Sequence, residues 1–370
     1  MTKKVEMSEL FFDLVFVYAI SKMTALIHHL HEGIIPLSAL IAFMLCLIVV
    51  INTWMYQTVF TNRYGKNSIW DHLFLQAEMI AVLFLSNNFS LEGAEALFRP
   101  FSVVVGVISL LILGQYLRQV FRCEDDLYIS LAKSYVKILA IRTGLVFLGV
   151  FLPYQVGIYV VSAGILLGML LPISLEKKMQ KTPVIVPHLL ERLSLLVIIT
   201  FGEMLIGIAP YFSVETLSVT SVLVFILVLC LFFFYVMTFE RFVNHHAEQE
   251  TGVSMIYLYY PMFIGLSFVT VSLSVFESDV NRLFWVVFCY LGLYLFYSGL
   301  LAQRHYNHDR LVYSKNYLLK QAVIFGVGLC LSLFLRENAE LVLLLTTAMT
   351  GIILLNHYLF YQKQVNSPKS

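Results

Sequence analysis

The dominant pattern along this chain is a series of long apolar stretches separated by short polar connections. Each stretch approaches or exceeds the length of about 20 apolar residues that a helix needs to cross a bilayer. A lipid environment offers backbone groups no water, so a helix is the form expected for each stretch. The sequence therefore predicts twelve membrane-spanning helices, at residues 9–30, 36–60, 69–90, 97–118, 134–152, 156–175, 188–209, 216–239, 254–276, 283–303, 317–335 and 340–361.

Lysine and arginine positions predict the orientation of these helices. Positive residues accumulate in cytoplasmic loops. One set of alternate loops, together with both termini, carries most of them: Lys3, Lys4, Arg63, Lys66, Arg118, Arg122, Lys133, Lys177, Lys178, Lys181, Arg241, Arg304, Arg310, Lys315, Lys363 and Lys369. The opposite loops carry Arg99, Arg282 and Arg336. We therefore predict a multi-pass protein of the cell membrane with both termini in the cytoplasm, which agrees with an even number of spans.

Composition supports a membrane protein and excludes several other classes. Hydrophobic residues make up 59% of the chain, charged residues 13%, and the formal net charge is +1. The lipid bilayer is therefore the expected partner, and nucleic acid is not; a homo-oligomer is possible. No GxSxG, Walker, HExxH or Rossmann pattern occurs, so we expect no enzyme activity, cofactor or metal site. Trp54 and Trp70 fall near predicted cytoplasmic borders, where an aromatic belt is expected.

An internal duplication is indicated by an ungapped shift of 182 residues. This shift superimposes several identical residues in corresponding helices: Glu9 and Glu191, Lys133 and Lys315, Tyr135 and Tyr317, Ala140 and Ala322, Gly144 and Gly326. A unit of six spans returns to its starting side, so the two repeats would be parallel. The predicted fold is all-α, with about twelve transmembrane helices in two six-helix repeats, residues 1–182 and residues 183–370. Transport sites commonly lie at such repeat interfaces, although a duplication can also build only a scaffold.

The most distinctive segment, Glu9 to Ser21, reads ELFFDLVFVYAIS. Near mid-chain follow His188, the pair Glu191-Arg192, an apolar run and the pair Gly202-Glu203. These two motifs, in this order and spacing, resemble the bacterial low temperature requirement protein A family over nearly the whole chain. The resemblance implies a multi-pass membrane protein with a role in growth in the cold, without a defined molecular activity.

A second resemblance concerns the first helix alone. The eleven residues from Phe11 to Ser21 are similar to the FSDGVFAIAIT signature of an endosomal and bacterial potassium-channel family. That family uses six-helix units, and its signature helix lines the pore. Leu14 replaces the glycine of the signature, and Leu195 stands where the duplication would place the counterpart of Asp13.

Ionisable residues within the predicted spans are the candidate functional residues, because charges at membrane depth usually face a bundle interior or a cavity. We predict an ion pathway between the two repeats, along the first and seventh helices, with acids that attract a cation and isoleucines that form constrictions. Its residues are Glu9, Asp13, Ile20, Thr24, Glu191, Arg192, Ile199 and Glu203.

Matching depth in the bilayer suggests two buried charge pairs, Glu78 with Arg142 and Lys22 with Glu203. Such pairs could lock the bundle or take part in a proton or cation relay. Histidine clusters offer a further possibility, a transition-metal site or pH sensor, against the simpler alternative of hydrated helix ends. They are His28, His29 and His31 with Glu32, His245 and His246 with Glu248 and Glu250, and His305 and His308 with Asp309.

Two functions follow from these observations. The first is a membrane transporter or channel for a small cation or proton, supported by the duplication, the acids within the spans and the signature on the first helix. The alternative is a membrane-embedded enzyme or lipid-handling protein that adjusts the bilayer, which would suit a role in the cold.

Overall fold

A computed structural model describes residues 3–89, 94–245, 247, 250–276 and 278–366 of the 370-residue chain. Within these residues the regular structure is helical and contains no strand beyond two isolated bridges. This confirms the predicted all-α class. His246, Glu248 and Lys369 lie outside the described residues.

The helices follow the predicted order. They are α1 (Met7–Ala25), α2 (Leu37–Tyr64), α3 (Ile69–Ser86), α4 (Ala94–Arg122), α5 (Asp126–Phe151), α6 (Tyr154–Leu170), α7 (Glu176–Met179), α8 (Val186–Ile208), α9 (Val219–Met237), α10 (Val253–Ser274), α11 (Arg282–Ala302), α12 (Lys315–Phe334) and α13 (Ala339–Asn366). A 3-10 turn, Leu171–Leu175, joins α6 to α7, and a π-helical turn, Thr238–Phe242, extends α9.

In the described part of the chain, eleven helices are long and apolar enough to cross a membrane. Together with the family match reported below, they identify a multi-pass membrane protein. The first predicted span also folds as a helix, α1, but its 19 residues carry Glu9, Asp13 and Lys22. The 28-residue helix α2 extends beyond its predicted apolar span. At 1.5 Å per residue it is about 42 Å long, whereas the hydrocarbon core is about 30 Å thick.

The first compact unit contains residues 1–29, 35–199 and 245–257. Its central helix is α2, whose second half is buried almost continuously from Leu47 to Asn62. Helix α1 packs on α2 and α3, while α4, α5 and α6 pack in sequence. The first half of α8 belongs to this unit, so α1, α2 and α8 can place side chains at one site.

Close helix contacts in this unit depend on glycine. A Cβ atom on Gly157 of α6 would lie 2.5 Å from the Gly149 carbonyl oxygen of α5. That distance is far below van der Waals contact, so the two backbones approach closely only because Gly157 lacks a side chain.

The second compact unit contains residues 30–34, 200–244 and 258–370. Here α9 packs on α13, α13 on α12, and α12 on α11. A buried histidine, His357 of α13, stacks between the rings of Phe234 and Phe242, with each pair of ring centroids 4.4 Å apart. The predicted repeats, residues 1–182 and 183–370, do not coincide with these two compact units. The duplication stays a prediction.

Candidate functional site

Four ionisable side chains meet inside the first unit. Glu9 and Asp13 lie one turn apart on α1, and His188 and Arg192 lie one turn apart on α8. A spacing of four residues places both members of each pair on one face of their helix. Asp13, His188 and Arg192 are fully buried, and Glu9 is 4% exposed. The structure therefore joins the two most distinctive motifs of the sequence in one cluster.

Asp13 and Arg192 form a bidentate ion pair. Arg192 donates from Nε to Asp13 Oδ2 at 2.8 Å and from Nη2 to Asp13 Oδ1 at 2.5 Å. Trp54 of α2 donates from its indole Nε1 to the same Oδ1 at 2.7 Å. Both carboxylate oxygens thus have strong donors, as a buried charge requires. The Trp54 indole is fully buried, so its predicted place in an interfacial belt was wrong.

Glu9 occupies the other end of the cluster. Its Oε2 lies 3.0 Å from His188 Nε2 and accepts the backbone N–H of Glu6 at 3.1 Å. Arg192 Nη1 is 3.8 Å from Glu9 Oε1, a longer contact than either of its bonds to Asp13. Arg192 therefore links the two acids but binds Asp13 more closely.

Asn62 of α2 determines which nitrogen of His188 carries the proton. Asn62 Oδ1 accepts the Ile185 backbone N–H at 2.9 Å, and its Nδ2 donates to the Ile185 carbonyl at 3.0 Å. Because both backbone partners fix the amide orientation, Nδ2 must also donate to His188 Nδ1, 3.2 Å away. His188 is therefore neutral in this arrangement and donates from Nε2 to Glu9. With two carboxylates and one guanidinium, the cluster carries one net negative charge.

A polar cavity of about 470 Å³ adjoins Glu9. Several charged or polar side chains line it: Lys3, Glu6, Ser8, Glu9, Gln57, Thr61, Lys66, Asn67, Asp71 and His72. Lys3 donates to the backbone carbonyls of Thr61 and Gly65, at the C-terminal end of α2. Partial burial lowers the Lys3 pKa from its ordinary value, since the charged form loses hydration. The cavity is roomy and polar enough to hold water.

The remaining predicted pathway residues are mostly buried. Ile20 is 2% exposed and Thr24 fully buried on α1, while Ile199 and Glu203 are buried on α8. The Thr24 hydroxyl has no hydrogen-bond partner among the described residues. Glu191 is exposed, so the structure does not bring it into the cluster; its side chain leaves α8 about 100° around the helix axis from that of its neighbour Arg192.

The structure gives other contacts for three residues of the predicted charge pairs, Glu78, Arg142 and Lys22. Gln115 of α4 donates to Glu78 Oε1 at 2.6 Å, and the guanidinium carbon of Arg142 lies 5.9 Å from the Tyr56 ring centroid. Among the described residues, none of the ion pairs that the structure gives joins Glu78 to Arg142. Lys22 is exposed, with its Nζ 5.4 Å from the Tyr18 ring centroid. The pairing of Lys22 with Glu203 stays a prediction.

The pairings at the site were not predicted, although the sequence contains a signal for them. Glu9 and Asp13 have the same four-residue spacing as His188 and Arg192, with two acids facing two basic residues. Trp54 and Asn62 gave no such signal. Among the described residues, no group of three histidine, cysteine, aspartate or glutamate side chains could hold a metal ion.

The fold and the buried cluster define a polytopic α-helical membrane protein with an interior ion-pair site. The chain belongs to the family described as bacterial low temperature requirement A protein (LtrA), whose match covers residues 4–355 and thus the whole cluster. No curated protein and no solved structure matches the chain.

Proposed function

We propose that this protein is a transporter or channel for a small cation or proton in the cell membrane, with both termini cytoplasmic. Protons are the cargo that the site supports best. The observation that carries the proposal is the polar cavity of about 470 Å³ next to Glu9, whose carboxylate contacts the neutral His188 and the fixed cation Arg192. Buried ionisable groups of this kind are typical of proton relays in membrane proteins.

The two acids have different tasks in this proposal. Both oxygens of Asp13 are occupied by Arg192 and Trp54 at hydrogen-bond distance, so Asp13 holds Arg192 in place. Glu9 borders the cavity, and the contact that the described residues give its Oε1 is the longer one with Arg192. Glu9 is therefore the acid placed to exchange a proton with cavity water, and that proton competes with the stabilisation of the Glu9 carboxylate by His188 and Arg192. This assignment replaces the earlier expectation that Asp13 attracts the cation.

Proton binding at Glu9 changes the charge of the whole cluster. A proton on the Glu9 carboxylate cancels the single net negative charge and removes the attraction between Glu9 and Arg192 Nη1. Arg192 keeps its bonds to Asp13, and Glu9 Oε2 can still accept from His188 Nε2 and from the Glu6 N–H. Beyond Glu9, the proposed path follows α1 past Ile20 and Thr24 and α8 past Ile199. The buried side chains of Ile20 and Ile199 form its constriction.

Flux through liposomes tests this function. Purified protein is reconstituted with a pH-sensitive dye, and a potassium gradient with valinomycin drives proton entry. The variant Glu9→Gln should lower the flux at least tenfold, because the amide cannot take up the proton. Glu191→Gln is the matched control: it removes the same charge from an exposed position of α8 and should leave the flux unchanged.

Two outcomes would contradict the proposal. A folded Glu9→Gln variant with wild-type proton flux would remove Glu9 from the path. Wild-type protein that moves neither protons, potassium nor sodium would refute transport altogether and favour the alternative, an embedded enzyme or lipid-handling protein.

A further inference from the structure

The second unit contains a buried chain of polar side chains unrelated to the cluster around Glu9. Gln321 Nε2 donates to the Tyr317 hydroxyl at 2.8 Å, and the Tyr317 oxygen is 2.6 Å from His357 Nδ1. His357 Nε2 lies 3.2 Å from Thr238 Oγ1, which donates to the Phe234 carbonyl at 2.8 Å. These bonds connect α12, α13 and the π-helical turn after α9.

The direction of every hydrogen bond in this series of side chains follows from Thr238, at its end. The Thr238 hydroxyl gives its proton to a carbonyl, so it must accept from His357 Nε2–H. His357 Nδ1 is then an acceptor and takes the Tyr317 proton. Tyr317 in turn accepts from Gln321, whose Nε2 also donates to the Ile353 carbonyl at 3.2 Å.

This arrangement fixes the amide of Gln321 and leaves one of its atoms unsatisfied. Because the Ile353 carbonyl can only accept, Nε2 must point at it, and Oε1 is turned to the other side. Oε1 is buried and has no hydrogen-bond partner in the described part of the chain. An unsatisfied buried acceptor costs about 1 to 3 kcal/mol, so a donor at this position would be bound favourably.

A second unsatisfied group faces the same cavity as Gln321. The cavity has a volume of about 430 Å³ and is lined mainly by apolar side chains of α11 and α12. Tyr297 of α11 also lines it, and its buried hydroxyl has no partner within the described residues. Gln321 is 5% and Tyr297 6% exposed. An apolar cavity of this size with two convergent polar groups has the features of a small-ligand site.

The position of the cavity indicates where its ligand comes from. Tyr294 at its rim is 57% exposed, and Leu319 and Val323 on the adjoining surface of α12 are also exposed. Exposed apolar residues on a membrane-spanning helix face the lipid. Gln321 lies six residues after the start of α12 at Lys315, or about 9 Å along the helix axis. This is a depth that the glycerol region of a lipid can reach.

We propose that this cavity binds an acylglycerol-type amphiphile from the bilayer. Its hydrocarbon chain occupies the apolar part of the cavity. A glycerol hydroxyl donates to Gln321 Oε1 and accepts from the Tyr297 hydroxyl, which satisfies both groups. The lining residues of the cavity are not among those of the proposed transport path.

Photocrosslinking of the purified full-length protein tests this site. The probe is a monoacylglycerol with a diazirine in its acyl chain, and labelled peptides are mapped. Wild-type protein should be labelled on α11 and α12. Unlabelled monoacylglycerol should compete, whereas the matching fatty-acid methyl ester, which has no hydroxyl, should compete at least threefold less well.

Two variants separate the polar contact from the cavity itself. Tyr297→Phe removes only a hydroxyl that has no partner among the residues the structure describes, so the fold should be unaffected while labelling falls about three- to tenfold. Tyr159→Phe, at a residue that is 76% exposed on α6, is the matched control and should label as wild type. Ala322→Trp fills the cavity from α12 and should reduce labelling at least tenfold.

The proposal fails if the labelled peptides of the wild-type protein come from helices other than α11 and α12. It also fails if Tyr297→Phe, with wild-type melting behaviour, is labelled to the same extent as wild type. Equal competition by the methyl ester would also overturn the proposal. The glycerol hydroxyl would then add nothing to binding, and water would be the group that satisfies Gln321 and Tyr297.

Discussion

The ion pair between Asp13 and Arg192 gives the sharpest prediction for stability. Asp13→Asn keeps the shape of the side chain but removes its charge. The remaining oxygen can still accept from Trp54 and Arg192 Nη2. The new amide group, however, faces Arg192 Nε–H, now 2.8 Å from Asp13 Oδ2, so two donors oppose each other. Arg192 keeps Glu9 as its nearest acid, at 3.8 Å.

The magnitude follows from the burial of both partners. Asp13 and Arg192 are fully buried, and breaking a buried pair by removing one partner costs about 3 to 5 kcal/mol. The entropy of unfolding is about 2.1 cal/mol/K per residue. For 370 residues, this loss corresponds to a decrease in Tm of about 4 to 6 °C.

Thermal unfolding in detergent, followed by a thiol-reactive dye, measures this effect. Asp126→Asn changes an exposed aspartate at the start of α5 and should shift the free energy of unfolding by less than about 0.5 kcal/mol. In the double variant with Arg192→Gln, the loss should be smaller than the sum of the two single losses. Strict additivity, or a wild-type Tm for Asp13→Asn, would refute the buried pair.

Three further predictions concern packing and orientation. Trp54→Phe removes the indole donor 2.7 Å from the buried carboxylate and should cost about 1 to 3 kcal/mol in thermal unfolding; an unchanged Tm would exclude this bond. Gly157→Ala should lower the yield of folded protein, because its Cβ would lie 2.5 Å from a carbonyl oxygen, whereas Gly144→Ala, with nothing within 4 Å, should be tolerated. On a cysteine-free background, a membrane-impermeant thiol reagent added outside intact cells should label a cysteine at His31 but not at Lys178. The opposite result would reverse the orientation.

The membrane class and most of the helices were predictable because bilayer thickness imposes a length and a composition on each span. The apolar stretches indicate the position of each helix but not its ends: α5 begins at Asp126, before its predicted start at 134, and α1 ends at Ala25, before its predicted end at 30. The motif from Glu9 to Ser21 and the residues His188 to Glu203 were enough to suggest the family, which the match over residues 4–355 confirms.

The sequence also marked Glu9, Asp13 and Arg192 as candidates, since acids and arginines within apolar spans must find partners; His188 was noted only as part of the family motif. It did not determine which partners. Depth along the helices suggested Arg142 for Glu78, and the structure adds Gln115, which donates to Glu78 and which depth did not single out. Equal depth is a weak criterion because many side chains share a level of the bilayer, and only the rotation and neighbours of each helix select among them.

The sequence by itself therefore determined the class of protein, its spans and the motifs that carry charge. Only the tertiary structure decided that Asp13 faces Arg192, that Glu9 faces His188, and that Glu191 remains outside the cluster. Asn62 and Trp54 became part of the site for the same reason: α2 passes beside α1 and α8 in the first unit. Span lengths are local properties that a bilayer imposes on each segment. The pairing of charges 179 residues apart depends on how helices pack, which no local pattern specifies.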